Sequence, residues 1–230
     1  LSIMVIGQSN AANSGIKKLN HINHVYNYNI LDGECYVASD PLLGTTGNGS
    51  AIWTILGRDI IDQGLIKQVL ITPIAVGSSS ITQWQPDKEL FYPRIKMAFK
   101  QLKEKGLTTH LVFWQQGESD QNITSNEYSK KLNTLIQGIS TTSPNKIKVF
   151  IADSSYCHKK VSKNIRTANR QVIKNRNNVF SGPDLDQYQN TVFRYDDCHL
   201  STQGQNIAAK EWLTIIKPHI QKLVTHEQTQ

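Results

Sequence analysis

The chain is poor in the residues that would tie it to a metal, a disulfide framework or a membrane. Three cysteines in 230 residues, Cys35, Cys157 and Cys198, are too few for a fold held by bridges, and their odd number permits at most one intrachain pair. No CxxC, no HExxH and no Cys/His cluster at ligand spacing occurs, so neither a metal nor a cofactor is expected. No apolar run approaches the roughly 20 residues of a membrane helix; even LITPIAV is interrupted by Thr72 and Pro73. No repeat, low-complexity block or shift in composition divides the sequence, which reads as one domain over residues 1–224 with a flexible tail at 225–230. Leu1 opens inside an apolar run rather than at a methionine, as expected after removal of a leader on export (secreted or periplasmic) or excision from a larger extracellular protein.

What is present is a moderately charged chain, 19% Asp, Glu, Lys and Arg, with a net charge of +7. Lys159, Lys160, Lys163, Arg166, Arg170, Lys174 and Arg176 concentrate in one segment, which raises nucleic acid as a partner. That segment carries no interleaved aromatics and matches no helix-turn-helix, RRM, KH or zinc-finger pattern. It reads as a solvated helix face, and no nucleic-acid partner is expected.

Runs rich in Ile and Val, at 2–6, 67–76, 109–116, 148–153 and more weakly 178–182, alternate with helix-like segments near 50–63, 87–105, 125–140, 160–176 and 202–224. Alternation of this kind predicts an α/β fold, a three-layer α/β/α sandwich around a mainly parallel five-stranded sheet. Open parallel sheets bind ligands beyond the carboxyl ends of their strands. Three polar clusters fall at such ends: Gly7-Gln8-Ser9-Asn10, Gly77-Ser78-Ser79-Ser80 and Gln116-Gly117-Glu118-Ser119-Asp120. A fourth, Asp196-Asp197-Cys198-His199, precedes the last helix.

Singly, each cluster is an ordinary turn composition. Jointly they hold the parts of an acyl-transfer site. Ser9 is a weak nucleophile until a base takes its proton; His199 can be that base, and Asp196, three residues away, can hold the imidazole tautomer. The oxyanion of the reaction needs fixed donors, for which the N–H groups of Ser9 and Gly77 and the amide of Gln116 are candidates. Gln8 and Asn10 flank the serine and, with Trp84, Arg194 and Tyr195, are the candidates for substrate contact; an inward Arg194 would suit a carboxylate-bearing sugar.

These blocks, GQSN at 7–10, the glycine of AVGSSSITQW at 75–84, WQQGESD at 114–120 and DDCHLSTQGQ at 196–205, resemble the SGNH hydrolases. Within them they are similar to the sialate O-acetylesterase-like branch grouped with carbohydrate esterase family 6. The resemblance spans most of the chain in the family's order. It implies Ser9 as nucleophile, Asp196 and His199 as the rest of the triad, and an acetylated carbohydrate as substrate. Where the wider superfamily carries GxND, this chain has Gly117-Glu118-Ser119-Asp120, with serine at the asparagine position. The resemblance therefore assigns the oxyanion amide to Gln116 and leaves Glu118 as the alternative triad acid.

The other histidines, His21, His24, His110, His158, His219 and His226, have no acid at useful spacing and read as surface or packing residues. Gly44-Thr45-Thr46-Gly47-Asn48-Gly49-Ser50 lacks the lysine of a phosphate loop and reads as a turn into the following helix. Two other functions share these features. A lipase or thioesterase on the same fold would need an apolar acyl groove, and a glycan- or nucleic-acid-binding module would use the basic segment beside an inactive site.

Overall fold

The computed structural model describes residues 1–227. Five apolar runs form the parallel strands β1 (Ser2–Gly7), β4 (Val69–Pro73), β5 (Leu111–Gln115), β6 (Lys148–Asp153) and β7 (Val179–Asp184). β1 and β5 are continuous in hydrophobicity because both of their faces are covered, whereas β7, at the sheet edge, is broken by the exposed Ser181. Ile3 and Val5 of β1 enter one core while Met4 and Ile6 enter the other, and Leu111 and Phe113 of β5 separate from Val112 and Trp114 in the same way. The first core is closed by α1 (Ile52–Asp62) and α5 (Thr202–Glu227) through Trp53, Leu56, Trp212 and Ile216. The second is closed by α2 (Tyr92–Glu104), α3 (Ser125–Thr142) and α4 (Lys163–Lys174), through Phe99, Leu132, Ile136 and Val172 among others. The result is the three-layer sandwich.

The sheet has seven strands, not five, in the order β3-β2-β4-β1-β5-β6-β7. The two additional strands, β2 (Ile22–Asn29) and β3 (Glu34–Ala38), form an antiparallel hairpin, and β2 pairs in parallel with β4. Asn23, Asn27 and Asn29 gave this stretch the composition of a loop, since asparagine is depleted from strands. Tertiary contacts override that preference. The buried Asn27 amide donates to Leu43 O (3.1 Å) and accepts from Leu43 N (2.6 Å), so its polarity is satisfied inside the fold. The last helix extends to Glu227, into the stretch read as a tail; residues 228–230 lie outside the described residues.

From β1 the chain runs out to β2 and β3 and back to β4 on one side, then crosses to β5 on the other, so β1 lies at the point where strand order reverses. Its carboxyl end therefore faces a crevice between the loops that follow β4 and β5.

Candidate active site

The Ser9 loop begins where β1 ends. Gly7 has φ 151°, and a Cβ there would stand 2.0 Å from the Gln115 carbonyl oxygen, so only glycine lets β1 and β5 close at this level. The following 3-10 turn, Ser9–Ala11, lifts Ser9 to the mouth of the crevice and turns Asn10 inward. Gln8 is buried: its Oε1 accepts from Gly117 N (3.3 Å), Ser119 N (3.0 Å) and the Gln116 amide (3.1 Å). It ties the loop after β1 to the loop after β5, a scaffolding role, and it also lines the same cavity as Ser9.

Asp196 and His199 meet as the DxxH spacing predicts. Asp196 Oδ2 lies 2.7 Å from His199 Nδ1, while Oδ1 accepts from His199 N (2.7 Å) and Cys198 N (3.1 Å). Partial burial pushes the Asp196 carboxyl up, but these bonds from His199 and Cys198 outweigh it and hold the group below the ordinary aspartate range. Tyr195 stacks beside the imidazole, with ring centroids 5.9 Å apart, and its hydroxyl donates to Ser14 O (3.0 Å). It braces the imidazole and is absent from the cavity wall. Cys198 is bridged to Cys157, which settles the one pairing that the cysteine count allowed.

Ser9 and His199 line one cavity of about 270 Å³, together with Ser78, Glu118, Ser119 and His158. No hydrogen bond joins the Ser9 hydroxyl to the imidazole among the described residues. Such contacts in unliganded enzymes commonly tighten only when substrate is bound. The remainder of the wall is Gln8, Asp196 and the Cys157 and Cys198 pair, so no Val, Leu, Ile, Met, Phe, Tyr or Trp lines it among the described residues. A larger hollow, about 420 Å³, opens against Ser2, Val69 and Leu107 at the amino ends of the strands, where open parallel sheets do not bind their ligands.

Two of the oxyanion donors read from the sequence are engaged elsewhere. Gln116 is fully buried; its amide donates to Asp120 Oδ2 (2.6 Å), Gln8 Oε1 (3.1 Å) and Ser79 O (3.1 Å), and its Oε1 accepts from the Tyr128 hydroxyl (2.8 Å). Gly77 does stand against Ser9, since a Cβ built on it would lie 3.9 Å from Ser9 Cβ, but its N–H donates to Thr46 Oγ1 (2.7 Å). The cavity instead presents Ser9 and Ser78. Ser78 is held at φ 59°, a conformation that non-glycine residues adopt only under constraint. Neither its N–H nor that of Ser9 has an acceptor among the described residues.

Glu118 has no hydrogen bond or ion pair to His199 among the described residues, although both line the cavity. It is buried, and its Oε1 accepts from Asn10 Nδ2 (2.7 Å) and Ser154 Oγ (2.9 Å), while Oε2 is enclosed without a partner. Burial pushes its carboxyl up, against the opposing bonds from Asn10 and Ser154 and the field of Arg194. Arg194 itself is 1% exposed and spends its guanidinium on the carbonyls of Tyr188, Cys198 and Leu185 at 2.7–2.8 Å. It points into the scaffold and is not placed to meet a substrate carboxylate, contrary to the expectation from its position. Trp84 is likewise a core residue, edge-on to Trp114 and bonded through Nε1 to Ser79 Oγ (2.8 Å). Asn10, expected to touch substrate, is wholly occupied within the protein.

Five wall residues were not among the candidates: Ser78, Ser119, His158 and the bridged Cys157 and Cys198. Ser119 had a signal, its place in the GxND-like block. His158 had none, because it reaches the cavity only through the Cys157–Cys198 bridge and the bond from His158 N to Asp197 O (3.0 Å).

A family model described as carbohydrate esterase, sialic acid-specific acetylesterase, matches residues 2–214. No curated protein matches the chain in sequence. Among solved structures the chain is similar to a protein from Arabidopsis thaliana, with 17% identity and a TM-score of 0.72 over 95% of this chain and 98% of that one. It is also similar to a carbohydrate acetylesterase from Xanthomonas citri (11% identity, TM-score 0.68, 94% of this chain and 55% of that one). A third is a Clostridium thermocellum family 3 carbohydrate esterase (17% identity, TM-score 0.64, 96% and 98%). At these identities the structural likeness is one of fold.

Proposed function

The chain belongs to the carbohydrate esterase, sialic acid-specific acetylesterase family, and from that premise we propose that it removes O-acetyl groups from a carbohydrate by a serine mechanism with an acyl-enzyme intermediate. His199 Nε2 takes the Ser9 hydroxyl proton as Ser9 Oγ bonds to the ester carbonyl carbon. Asp196 holds the Nδ1 proton on the far side of the ring and stabilises the imidazolium that forms. The carbonyl oxygen, now negative, is met by the N–H groups of Ser9 and Ser78. Collapse of the tetrahedral intermediate breaks the bond to the sugar oxygen, which leaves with the proton from His199. Water then attacks acetyl-Ser9, again with His199 as base, and collapse breaks the bond to Ser9 Oγ, which takes the proton back from His199 as acetate is released.

The observation that carries this reading is the Asp196–His199 contact of 2.7 Å on the wall of the cavity that Ser9 lines. The size and polarity of that cavity favour a short acyl group on a hydroxylated alcohol over a fatty acyl chain, which would need an apolar groove. Acetate release from a panel of acetylated glycans, and from p-nitrophenyl acetate, tests it. Wild type is expected to act on both, and Ser9→Ala to lose about three orders of magnitude or more. Full activity in Ser9→Ala, or a preference for octanoate over acetate esters, would overturn it.

A further inference from the structure

Asn10 follows the proposed nucleophile in sequence and is 1% exposed. Its side chain reaches across the crevice to the backbone on both sides of His199: Nδ2 donates to Cys198 O (3.1 Å) and Oδ1 accepts from Leu200 N (3.0 Å). These partners fix the amide orientation, since an N–H can meet only the oxygen and a carbonyl only the nitrogen. The second Nδ2 proton goes to Glu118 Oε1 (2.7 Å), which also accepts from Ser154 Oγ (2.9 Å) on the loop after β6. The Asn10 carbonyl is in turn held by the Gln115 amide (2.7 Å) at the end of β5. Three loops far apart in sequence thus converge on one asparagine, and the base is bracketed by the residue next to the nucleophile.

We propose that Asn10 and Glu118 form one positioning strut that sets the Ser9 loop against the loop carrying His199, with Glu118 acting through Asn10 and not as the acid of the triad. The inference rests on the serine-esterase reading above. The Ser9 hydroxyl and the imidazole come from separate loops, and the bonds of Asn10 to Cys198 O and Leu200 N hold those loops in register directly. Glu118 supplies the acceptor that keeps the Asn10 amide from rotating away from the Cys198 carbonyl. An isosteric amide at 118 preserves an oxygen for Asn10 and Ser154, so the strut needs the acceptor and not the charge.

The test is steady-state hydrolysis of p-nitrophenyl acetate by wild type, Ser9→Ala, Asn10→Ala, Glu118→Ala, Glu118→Gln and the Asn10→Ala/Glu118→Ala double variant, each assayed well below its own Tm. Misplacing a catalytic group by about 1 Å costs roughly a hundredfold, so Asn10→Ala and Glu118→Ala are expected to lose on the order of 10- to 100-fold in kcat with KM nearly unchanged. Glu118→Gln is expected to recover most of what Glu118→Ala loses. The double variant is expected to be no worse than Asn10→Ala within about threefold, because both changes break one unit. Wild-type kcat in both alanine variants, fully multiplicative losses, or a Glu118→Gln variant as damaged as Glu118→Ala would each overturn the strut. If Asn10→Ala does not fold, the Glu118→Ala and Glu118→Gln pair alone decides. An inactive wild type, or an active Ser9→Ala, would instead defeat the esterase reading, and the strut would fall with it.

Discussion

Replacing Asp196 by asparagine separates the electrostatic work of this residue from its structural work. The asparagine Oδ1 can keep the bonds from His199 N and Cys198 N, at 2.7 and 3.1 Å in the native loop, so the turn that presents His199 survives. The other arm changes sign. Where Oδ2 accepted from the imidazole at 2.7 Å, an NH₂ group now donates to Nδ1. Nδ1 must then be the unprotonated nitrogen, and the ring proton moves to Nε2, which can no longer take a proton from Ser9. The same exchange in Ser-His-Asp enzymes costs about 10⁴ in kcat, or about 5.4 kcal/mol at 1.36 kcal/mol per decade. Stability changes little, because Asp196 is exposed and such pairs contribute about 0–1 kcal/mol, which for a chain of this size is no more than roughly 4 °C in Tm. Hydrolysis of p-nitrophenyl acetate at neutral pH, alongside a thermal melt, checks both expectations. Asp196→Asn within about tenfold of wild type would refute the tautomer reasoning, and a 10⁴-fold loss in Glu118→Gln beside it would move the triad acid to Glu118.

Two further outcomes follow from the same geometry. His158, Lys159 and Asp197, at φ 51°, 61° and 60°, adjoin the Cys157–Cys198 bridge, which closes a span of 41 residues; chain entropy alone puts its contribution near 4 kcal/mol. The Cys157→Ser/Cys198→Ser variant should therefore melt roughly 8–16 °C lower and turn over ester more slowly, whereas an unchanged Tm would show that the loops hold without it. Burial raises the folded-state pKa of Glu118 above the ordinary 4.5, so its contribution to stability is complete below that value and is lost as pH rises through the folded one. Glu118→Gln does not titrate, so the Tm of wild type relative to Glu118→Gln should fall between pH 4 and pH 8; a relative rise would reverse the sign assigned to this carboxyl.

The parts of the fold that were legible in the sequence are those whose burial leaves a mark on composition. Strands covered on both faces, such as Ile3-Met4-Val5-Ile6 and Leu111-Val112-Phe113-Trp114, had to be continuously apolar and could be found. β2 could not be recognised by that rule, because Asn27 is satisfied by Leu43, a partner that only the folded chain supplies. The Asp32-Gly33 dipeptide between β2 and β3 was the available hairpin signal. The site divides along the same line. Asp196 and His199 are three residues apart, so their contact is local and readable. The destinations of Gln116, Gly77 and Arg194 depend on Gln8 and Ser79, Thr46 and the carbonyl of Leu185, and spacing along the chain carries no information about those.

The central claim is that Ser9 carries the acyl group, and locating a covalent adduct tests it most directly. After reaction with diethyl p-nitrophenyl phosphate, peptide mass spectrometry should find one phosphoryl group per chain, on Ser9, forming far more slowly in a His199→Ala variant. A label on Ser78 or Ser119, or hydrolysis of esters that continues undiminished once Ser9 is fully modified, would contradict it.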